Sequence, residues 1–240
     1  MEYPRSQQPL APLPNNCLSQ TDSGCPMKGF RFHFLIAVFC SLSFVHCYDS
    51  KQNNDSLQSL LTVSTVPIRV TVVGDSIAQL SDGFGLKAKL PNNYSVTDVS
   101  IAGYNISSWL ENSSHIEGIP TDIWIVELGT NDALSQGTYK FRENYSELLN
   151  RLELKNPSFI VLSTVPLTEQ VGIQTSVREN NETIRNLAGN KATYRLADLE
   201  KLFSNHSGQL LLYSVDDPIH PNQIGMEMIG EEYRKLLLGL

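Results

Sequence analysis

Five short apolar segments alternate with segments of helical periodicity, and this alternation is the feature that most restricts the fold. The segment Asp122–Leu128 is apolar at nearly every position, as expected for a strand that is covered on both faces. The expected strands are Ile68–Val73, Val96–Ile101, Asp122–Leu128, Phe159–Thr164 and Thr193–Ala197. The expected helices are Phe84–Leu90, Ile106–Ile116, Tyr139–Leu154, Val177–Ala188 and Gln223–Leu238. This alternation predicts an α/β fold with a central parallel sheet of about five strands.

Three of the expected strands are followed directly by short polar or glycine-bearing turns. The turns are Gly74-Asp75-Ser76, Ala102–Asn105 and Gly129–Asp132. Parallel strands end at the same edge of a sheet, where α/β proteins bind their ligands, so we expect the turns to share one crevice. The loop Asp217–His220 follows the last strand region and is expected to join them there.

The side chains in these turns are the groups that ester hydrolysis requires: a nucleophile, a base, and a residue that orients the base. Ser76 is the candidate nucleophile because it stands where a strand meets a helix, whose N-terminus adds positive potential. His220 is the candidate base, since imidazole has an ordinary pKa of about 6.5. Asp217 can accept a hydrogen bond from the imidazole, and Asp216 is its rival for this role.

Ester hydrolysis also needs hydrogen-bond donors for the oxyanion that develops on the substrate. The candidates are the backbone N–H groups of Ser76 and Gly103 and the side-chain amide of Asn131. Each motif alone has a simpler interpretation, because Gly, Asp, Pro and Asn are ordinary turn and cap residues. Asp75 and Asp132 are expected to brace their turns by hydrogen bonds to the backbone. The catalytic interpretation depends on all of the motifs occurring together.

In the order and spacing of these motifs the chain resembles the SGNH, or GDSL-type, hydrolase family. The first block of the family is matched by Gly74-Asp75-Ser76, and its G-x-N-D block is matched by Gly129–Asp132. Its D-x-x-H block is matched by Asp217–His220, and its oxyanion glycine corresponds to Gly103. The chain departs from the family name at Ile77, where leucine would stand. The blocks extend over nearly the whole expected domain.

The resemblance implies a three-layer α/β/α, flavodoxin-like fold and a metal-independent serine esterase without a cofactor. It makes Ser76 the nucleophile, His220 the base, Asp217 its orienting residue, and Gly103 and Asn131 the oxyanion donors. Relatives include esterases, lipases, thioesterases and carbohydrate deacetylases, so the expected partner is a small-molecule, glycan or lipid ester. Two alternatives stay open, namely a catalytically idle domain that acts as a glycan-binding or surface protein, and an acyltransferase that uses the same site.

The N-terminal part of the chain is expected to lie outside this domain. Residues 1–26 are an extension that is untranslated if Met27 is the start, and residues 27–47 are a signal peptide with a basic start and a short apolar run. Residues 48–66 are a polar leader, and residues 67–240 form the hydrolase domain. The apolar run is shorter than the roughly 20 residues that span a bilayer. A type II membrane anchor is the alternative to secretion.

Potential N-glycosylation sites also indicate export. The sequence contains seven Asn-x-Ser/Thr sequons, which predict a secreted glycoprotein. Asn105 heads one of them close to Gly103, and we expect it to cap the following helix instead. The remaining glycosylation candidates are Asn54, Asn93, Asn112, Asn144, Asn181 and Asn205.

Charge and cysteine positions restrict the partners and the chemistry. The net charge is −7 and no basic cluster is present, which argues against a nucleic-acid partner. All four cysteines precede residue 48, so the expected domain has neither a disulfide nor a cysteine nucleophile. No group of His, Asp and Glu has the spacing of a metal site, and no metal is predicted.

Overall fold

The computed structural model describes residues 66–135, 140–206 and 208–240. Its centre is a parallel sheet of five strands in the order β2-β1-β3-β4-β5, which confirms the predicted fold class. The strands are β1 (Ile68–Gly74), β2 (Tyr94–Asp98), β3 (Ile123–Glu127), β4 (Phe159–Ser163) and β5 (Tyr194–Ala197). The expected N-terminal extension, the expected signal peptide and the expected leader up to residue 65 lie outside the described residues.

Helices of two kinds connect the strands. The helices are α1 (Ser76–Leu80), α2 (Leu86–Lys89), α3 (Ile106–Glu111), α4 (Ser114–Glu117), α5 (Thr130–Leu134), α6 (Phe141–Glu153), α7 (Gln174–Ala188), α8 (Leu199–Ser204) and α9 (Gln223–Leu238). The long helices α6, α7 and α9 have several turns of apolar period and were predictable, whereas α1, α5 and α8 have five or six residues and show no period. The single helix expected over residues 106–116 is two helices, α3 and α4. Within the described ranges, no helix is long and apolar enough to cross a membrane.

Side chains of the strands alternate between two apolar clusters, one on each face of the sheet. On β3, Ile123 and Ile125 belong to one cluster, while Trp124 and Val126 belong to the other. The first cluster includes side chains from α1, α2 and α9, and the second includes side chains from α3, α6 and α7. Helices therefore cover both faces, as a parallel sheet requires, and the fold has three layers.

Strand β1 lies between β2 and β3, so the order of the strands reverses at the centre of the sheet. Such a reversal leaves a crevice beyond the carboxyl ends of the central strands. The turns that follow β1, β2 and β3 bring Ser76, Gly103 and Asn131 to that edge.

The segment that carries Asp217 and His220 is a strand, whereas the sequence pattern predicts a loop. The strands β6 (Tyr213–Ser214) and β7 (Asp217–Pro221) form an antiparallel ribbon. The Pro218 carbonyl accepts a hydrogen bond of 2.9 Å from the Glu169 N–H, which ties β7 to the chain that follows β4. The loop prediction is wrong because two prolines and a two-residue partner strand leave no period to detect.

Candidate active site

Ser76 and His220 are joined by a hydrogen bond across the crevice. Ser76 is the first residue of α1, directly after β1, and its Oγ lies 2.9 Å from His220 Nε2. On the other side of the imidazole, His220 Nδ1 lies 2.8 Å from Asp217 Oδ2. When Nδ1 carries the proton and donates it to Asp217, Nε2 is left free to accept the Ser76 proton. The three residues are therefore arranged for proton transfer.

Asp217 is held in place by the backbone of its own strand. Its Oδ1 accepts hydrogen bonds from the N–H groups of Ile219, at 3.1 Å, and His220, at 2.9 Å. Partial burial opposes ionisation of the carboxyl group, but the hydrogen bonds from His220 and Ile219 outweigh it and lower the pKa of Asp217. Asp216 is exposed. Of the two adjacent carboxylates, the structure thus places Asp217 against the imidazole.

Asp75 braces the turn that presents Ser76, as the sequence predicted. The carboxyl group is fully buried, and its Oδ1 accepts a hydrogen bond of 2.9 Å from the Ile77 N–H at the start of α1. Burial raises the pKa of Asp75 to about 7, against the opposing effect of the Ile77 hydrogen bond. The carboxyl group of Asp75 is therefore a largely uncharged N-cap at acidic pH.

Asn131 lies in the first turn of α5 and is half-buried. Its Nδ2 donates to the Tyr104 carbonyl at 3.0 Å and to Asp75 Oδ2 at 3.3 Å. The longer bond is the weaker one, so its hydrogen is the one that a substrate oxygen can take over. Asn131 thus connects the turns that follow β1, β2 and β3.

Gly103 lies in the turn after β2, in a conformation that suits glycine. Its φ is +80°, and a Cβ there would meet no atom within 4 Å, so backbone conformation rather than space favours glycine. Among the described residues, no acceptor is bonded to the Gly103 N–H. The N–H of Ser76, as the first residue of a helix, likewise has no intrahelical acceptor. Both groups are available to an oxygen in the crevice.

Two side chains, those of Asn105 and Asp132, accept hydrogen bonds from the backbone of the segment that follows Gly103. Asn105 Oδ1 accepts a hydrogen bond of 2.9 Å from the Ser108 N–H, so Asn105 caps α3 as predicted. Both carboxylate oxygens of Asp132 lie 3.4 Å from the Ile106 N. Burial raises the pKa of Asp132 to about 6. The expected bracing role of Asp132 therefore extends to the neighbouring turn that follows β2.

Glu127, at the end of β3, is a residue whose position the sequence analysis missed. It is fully buried and pairs with Gly74 in the sheet register, and neither carboxylate oxygen has a hydrogen-bond partner among the described residues. Burial, followed by the charge of Asp75, raises the pKa of Glu127 well above its ordinary value. A single acidic residue inside an apolar strand was the available signal.

A cavity of about 430 Å³ lies beside the imidazole. His220 and Asp217 form part of its wall, together with the end of α1 and the start of α9. Its other lining residues mix apolar and polar side chains and include Leu80, Phe84, Met226, Ser214 and Glu227. Among the described residues, no group of three or more His, Cys, Asp or Glu could hold a metal ion.

The glycosylation candidates differ in their accessibility. Asn181 is fully buried, and its Nδ2 donates to the Val165 carbonyl and to Glu200, so the prediction of a glycan at Asn181 is contradicted by the fold. Asn144 is half-buried and donates to Ser107 Oγ. Asn54 lies outside the described residues. The exposed candidates are Asn93, Asn112 and Asn205.

Solved structures with the same fold are esterases and related hydrolases. A lipase/acylhydrolase from Enterococcus faecalis matches with a TM-score of 0.62 and 19% identity, over 72% of this chain and 96% of that chain. An acetyl xylan esterase from Geobacillus stearothermophilus matches with a TM-score of 0.59 and 15% identity, over 70% of this chain and 94% of the other. A carbohydrate esterase family 3 protein from Talaromyces cellulolyticus matches with a TM-score of 0.57 and 18% identity, over 72% and 97%. At these identities the likeness shows the fold.

The sequence comparisons complete the assignment. No curated protein matches the chain. The profile of the GDSL-like lipase/acylhydrolase family matches residues 72–228, which include the turn of Ser76, Asn131 and the Asp217–His220 strand. Because this match covers more than half of the chain, the chain belongs to the GDSL-like lipase/acylhydrolase family and is an ester-hydrolysing enzyme.

Proposed function

We propose that the protein is a secreted serine esterase that cleaves short or medium acyl esters, or acetyl groups on a carbohydrate, through an acyl-enzyme on Ser76. The observation that carries the proposal is the continuous hydrogen-bonded chain from Ser76 through His220 to Asp217. Activation of a serine hydroxyl by an adjacent, oriented imidazole is a recurrent solution for acyl transfer.

In the proposed acylation step, Ser76 Oγ forms a bond to the ester carbonyl carbon while His220 Nε2 takes the hydroxyl proton. The carbonyl electron pair moves to oxygen and forms the oxyanion. As the oxyanion collapses, the bond to the alcohol oxygen breaks, and the imidazolium returns the proton to that oxygen. Asp217 keeps Nδ1 protonated and stabilises the imidazolium.

In the proposed deacylation step, water replaces the alcohol. His220 takes a proton from the water molecule while the water oxygen bonds to the acyl carbon. The imidazolium then returns the proton to Ser76 Oγ as the acyl-enzyme bond breaks. The free carboxylic acid leaves, and Ser76 is restored. The N–H groups of Ser76 and Gly103 and the Asn131 amide stabilise the oxyanion in both steps, and loss of one such donor costs about 10²–10³ in kcat.

Two observations support the substrate part of the proposal. Two of the matching solved structures are named as an acetyl xylan esterase and a carbohydrate esterase. The cavity beside His220 is lined by both polar and apolar side chains. Such a lining suits a substrate alcohol, such as a sugar, that has both hydroxyl groups and apolar C–H surfaces. Because the imidazole must reach the departing oxygen, the alcohol is expected on this side of the site.

Purified protein should hydrolyse p-nitrophenyl acetate or butyrate, and Ser76→Ala should lower kcat by more than about 10³-fold because the nucleophile is gone. A fluorophosphonate probe should label the wild type and not Ser76→Ala. A wild-type protein that neither hydrolyses these esters nor takes the label would support the idle-domain alternative. Addition of glycerol as an acceptor would reveal an acyltransferase by forming glycerol esters faster than free acid.

Secretion and glycosylation are part of the same proposal. They rest on the basic and apolar pattern of residues 27–47 and on the sequons at the exposed positions Asn93, Asn112 and Asn205. Expression in a eukaryotic secretory host should release a protein that loses mass on treatment with an N-glycosidase. Peptide mass spectrometry should find the peptide that contains Asn181 unmodified. Retention of the full chain in the cell membrane would favour the type II anchor.

A further inference from the structure

The buried stripe of α7 contains two adjacent asparagines that the proposed mechanism does not use. Asn180 and Asn181 are 1% and 0% exposed, and they share the inward face of α7 with Val177, Ile184 and Leu187. A buried amide at a position that suits an apolar residue lowers stability unless its polar atoms are paired. The partners of these two amides therefore indicate what the residues do.

Asn180 holds the turn from which Asn131 projects. Its Nδ2 donates a hydrogen bond of 3.0 Å to the carbonyl of Gly129, which is the N-cap residue of α5. The same carbonyl accepts the hydrogen bond from Ala133 N, at 3.1 Å, that closes the first turn of α5. Gly129 has a φ of +133°, a conformation that L side chains rarely adopt and that needs support from its surroundings. Asn180 thus supports the residue that sets the direction of α5.

Asn181 holds the neighbouring segment against the same glycine. Its Oδ1 accepts from the Val165 N–H at 2.7 Å, and its Nδ2 donates to the Val165 carbonyl at 2.9 Å. The Nδ2 also donates to Glu200 at 3.1 Å. A Cβ on Gly129 would lie 2.9 Å from Val165 Cγ2, so the side chain of Val165 packs directly against the Gly129 backbone. Both asparagines therefore stabilise one contact between the turn after β3 and the chain after β4.

The position of the Asn131 amide depends both on its own hydrogen bonds and on the backbone from which it projects. The amide is half-buried, and two protein acceptors, the Tyr104 carbonyl and Asp75, compete with a substrate oxygen for its hydrogens. An oxyanion donor must be held within a fraction of an ångström of its working position. The backbone at Gly129 contributes to this placement, because Gly129 is the N-cap residue of the helix that carries Asn131.

We propose that Asn180 is a positioning residue for the oxyanion hole, which aims the Asn131 amide through the Gly129 carbonyl. The role rests on the proposed function, since it has meaning only if Asn131 stabilises an oxyanion. Asn180 is buried and bonds to Gly129 rather than to Ser76 or His220, so its replacement is expected to leave the hydrogen bond between Ser76 and His220 intact. Its loss should therefore impair transition-state stabilisation and leave proton transfer unchanged.

A double-mutant cycle on p-nitrophenyl acetate hydrolysis tests the proposal with Asn180→Ala, Asn131→Ala and the double variant. We expect Asn180→Ala to lower kcat by about 10- to 100-fold, with little change in KM, because a small misplacement of a reacting group has this effect. In the Asn131→Ala background the same substitution should lower kcat by less than about 2-fold, because residues that act as one unit are not additive. The pH–rate profile should keep its midpoint, since His220 is untouched.

Asn186→Ala is the matched control, because Asn186 lies exposed on the same helix and, among the described residues, its side chain bonds only to Glu182. It should leave kcat and the urea-unfolding midpoint unchanged. Asn180→Ser, whose side chain is shorter, replaces Asn180→Ala in the cycle if circular dichroism shows that the alanine variant does not fold.

Two results would overturn the positioning role while leaving the proposed function intact. One is a folded Asn180 variant with wild-type kcat. The other is an equal loss of kcat in the wild-type and Asn131→Ala backgrounds, which would mean that Asn180 acts on general stability. Failure of the proposed function looks different, because the wild-type protein itself would then be inactive and Ser76→Ala would change nothing.

Discussion

The ribbon beside Ser76 and the sheet interior beneath it both contain carboxyl groups, and the two regions use them in opposite ways. On the ribbon, Asp217 is partly exposed, and its hydrogen bonds lower its pKa in spite of partial burial. At the ends of β1 and β3, Asp75 and Glu127 are fully buried, and burial raises the pKa of both. The same chemical group is therefore held as an anion in one region and as a neutral acid in the other.

The difference lies in the available partners. Asp217 receives two backbone N–H bonds and one from an imidazole, which stabilise its charged form. Glu127 receives none from the described residues, so its charged form would be unpaired in the interior. Charge is thus retained where it can orient His220 and suppressed where it would only weaken the fold.

Replacing Asp217, the charged carboxylate on the β6–β7 ribbon, should have the largest effect on activity. Asp217→Asn keeps the shape of the side chain but removes the charge, and it favours the wrong tautomer of His220. We expect kcat to fall by about 10³–10⁴-fold, the size of effect seen when a triad carboxylate is neutralised. The measurement is kcat for p-nitrophenyl butyrate at several pH values, with circular dichroism to check the fold. A loss below about 5-fold would mean that Asp217 does not orient the base.

Replacing Glu127, the buried acid at the end of β3, should instead change how the free energy of unfolding depends on pH. Folded Glu127 keeps its proton above the ordinary value of 4.5, where the unfolded chain has released it, so the free energy of unfolding falls as pH rises above that value. When the folded chain binds one proton more than the unfolded chain, the free energy of unfolding falls by about 1.4 kcal/mol per pH unit. Glu127→Gln removes this dependence and should therefore gain stability relative to the wild type between pH 5 and pH 8.

Urea unfolding of both proteins at the two pH values measures this difference. Asp75, whose pKa is also raised, contributes a dependence of the same sign in both proteins. If Glu127→Gln changed stability by the same amount at pH 5 and pH 8, Glu127 would not be the neutral acid inferred here.

The smallest effect on kcat is expected from replacing Asp216, the neighbour of Asp217. Asp216 is exposed and has the same charge one residue away. Asp216→Asn should change kcat by less than about 2-fold and stability by less than about 0.5 kcal/mol, as is usual for surface substitutions. Steady-state kinetics beside Asp217→Asn provide the comparison. A loss of activity similar to that of Asp217→Asn would show that charge near the ribbon, rather than a directed hydrogen bond, supports His220.

Sequence periodicity predicted the five strands of the sheet and the long helices, because each extends far enough to repeat. It assigned no range to the short helices α1 and α5, which present Ser76 and Asn131, although the motif at Ser76 predicted a strand-to-helix turn. Their positions depend on caps and on contacts with other segments, such as the bond from Ile77 N–H to Asp75 and that from Asn180 to Gly129. A local pattern contains no signal for a long-range bond such as that from Asn180 to Gly129.

The glycosylation candidates show the same limit. Asn181 and Asn93 have equally good sequons, yet Asn181 faces the core and bonds to Val165 while Asn93 faces solvent. A sequon describes three consecutive residues, and burial depends on which helix face packs against the sheet.

The sequence by itself determined the alternation of strands and helices, the order of the motif residues along the chain, and the residue types available for acyl transfer. Only the tertiary structure decided that Glu127 is buried with no hydrogen-bond partner among the described residues, and that Asn180 supports the turn of Asn131. The physical reason is that side-chain types and periods are local properties, whereas hydrogen-bond partners and pKa values depend on groups that the fold brings together from distant parts of the chain.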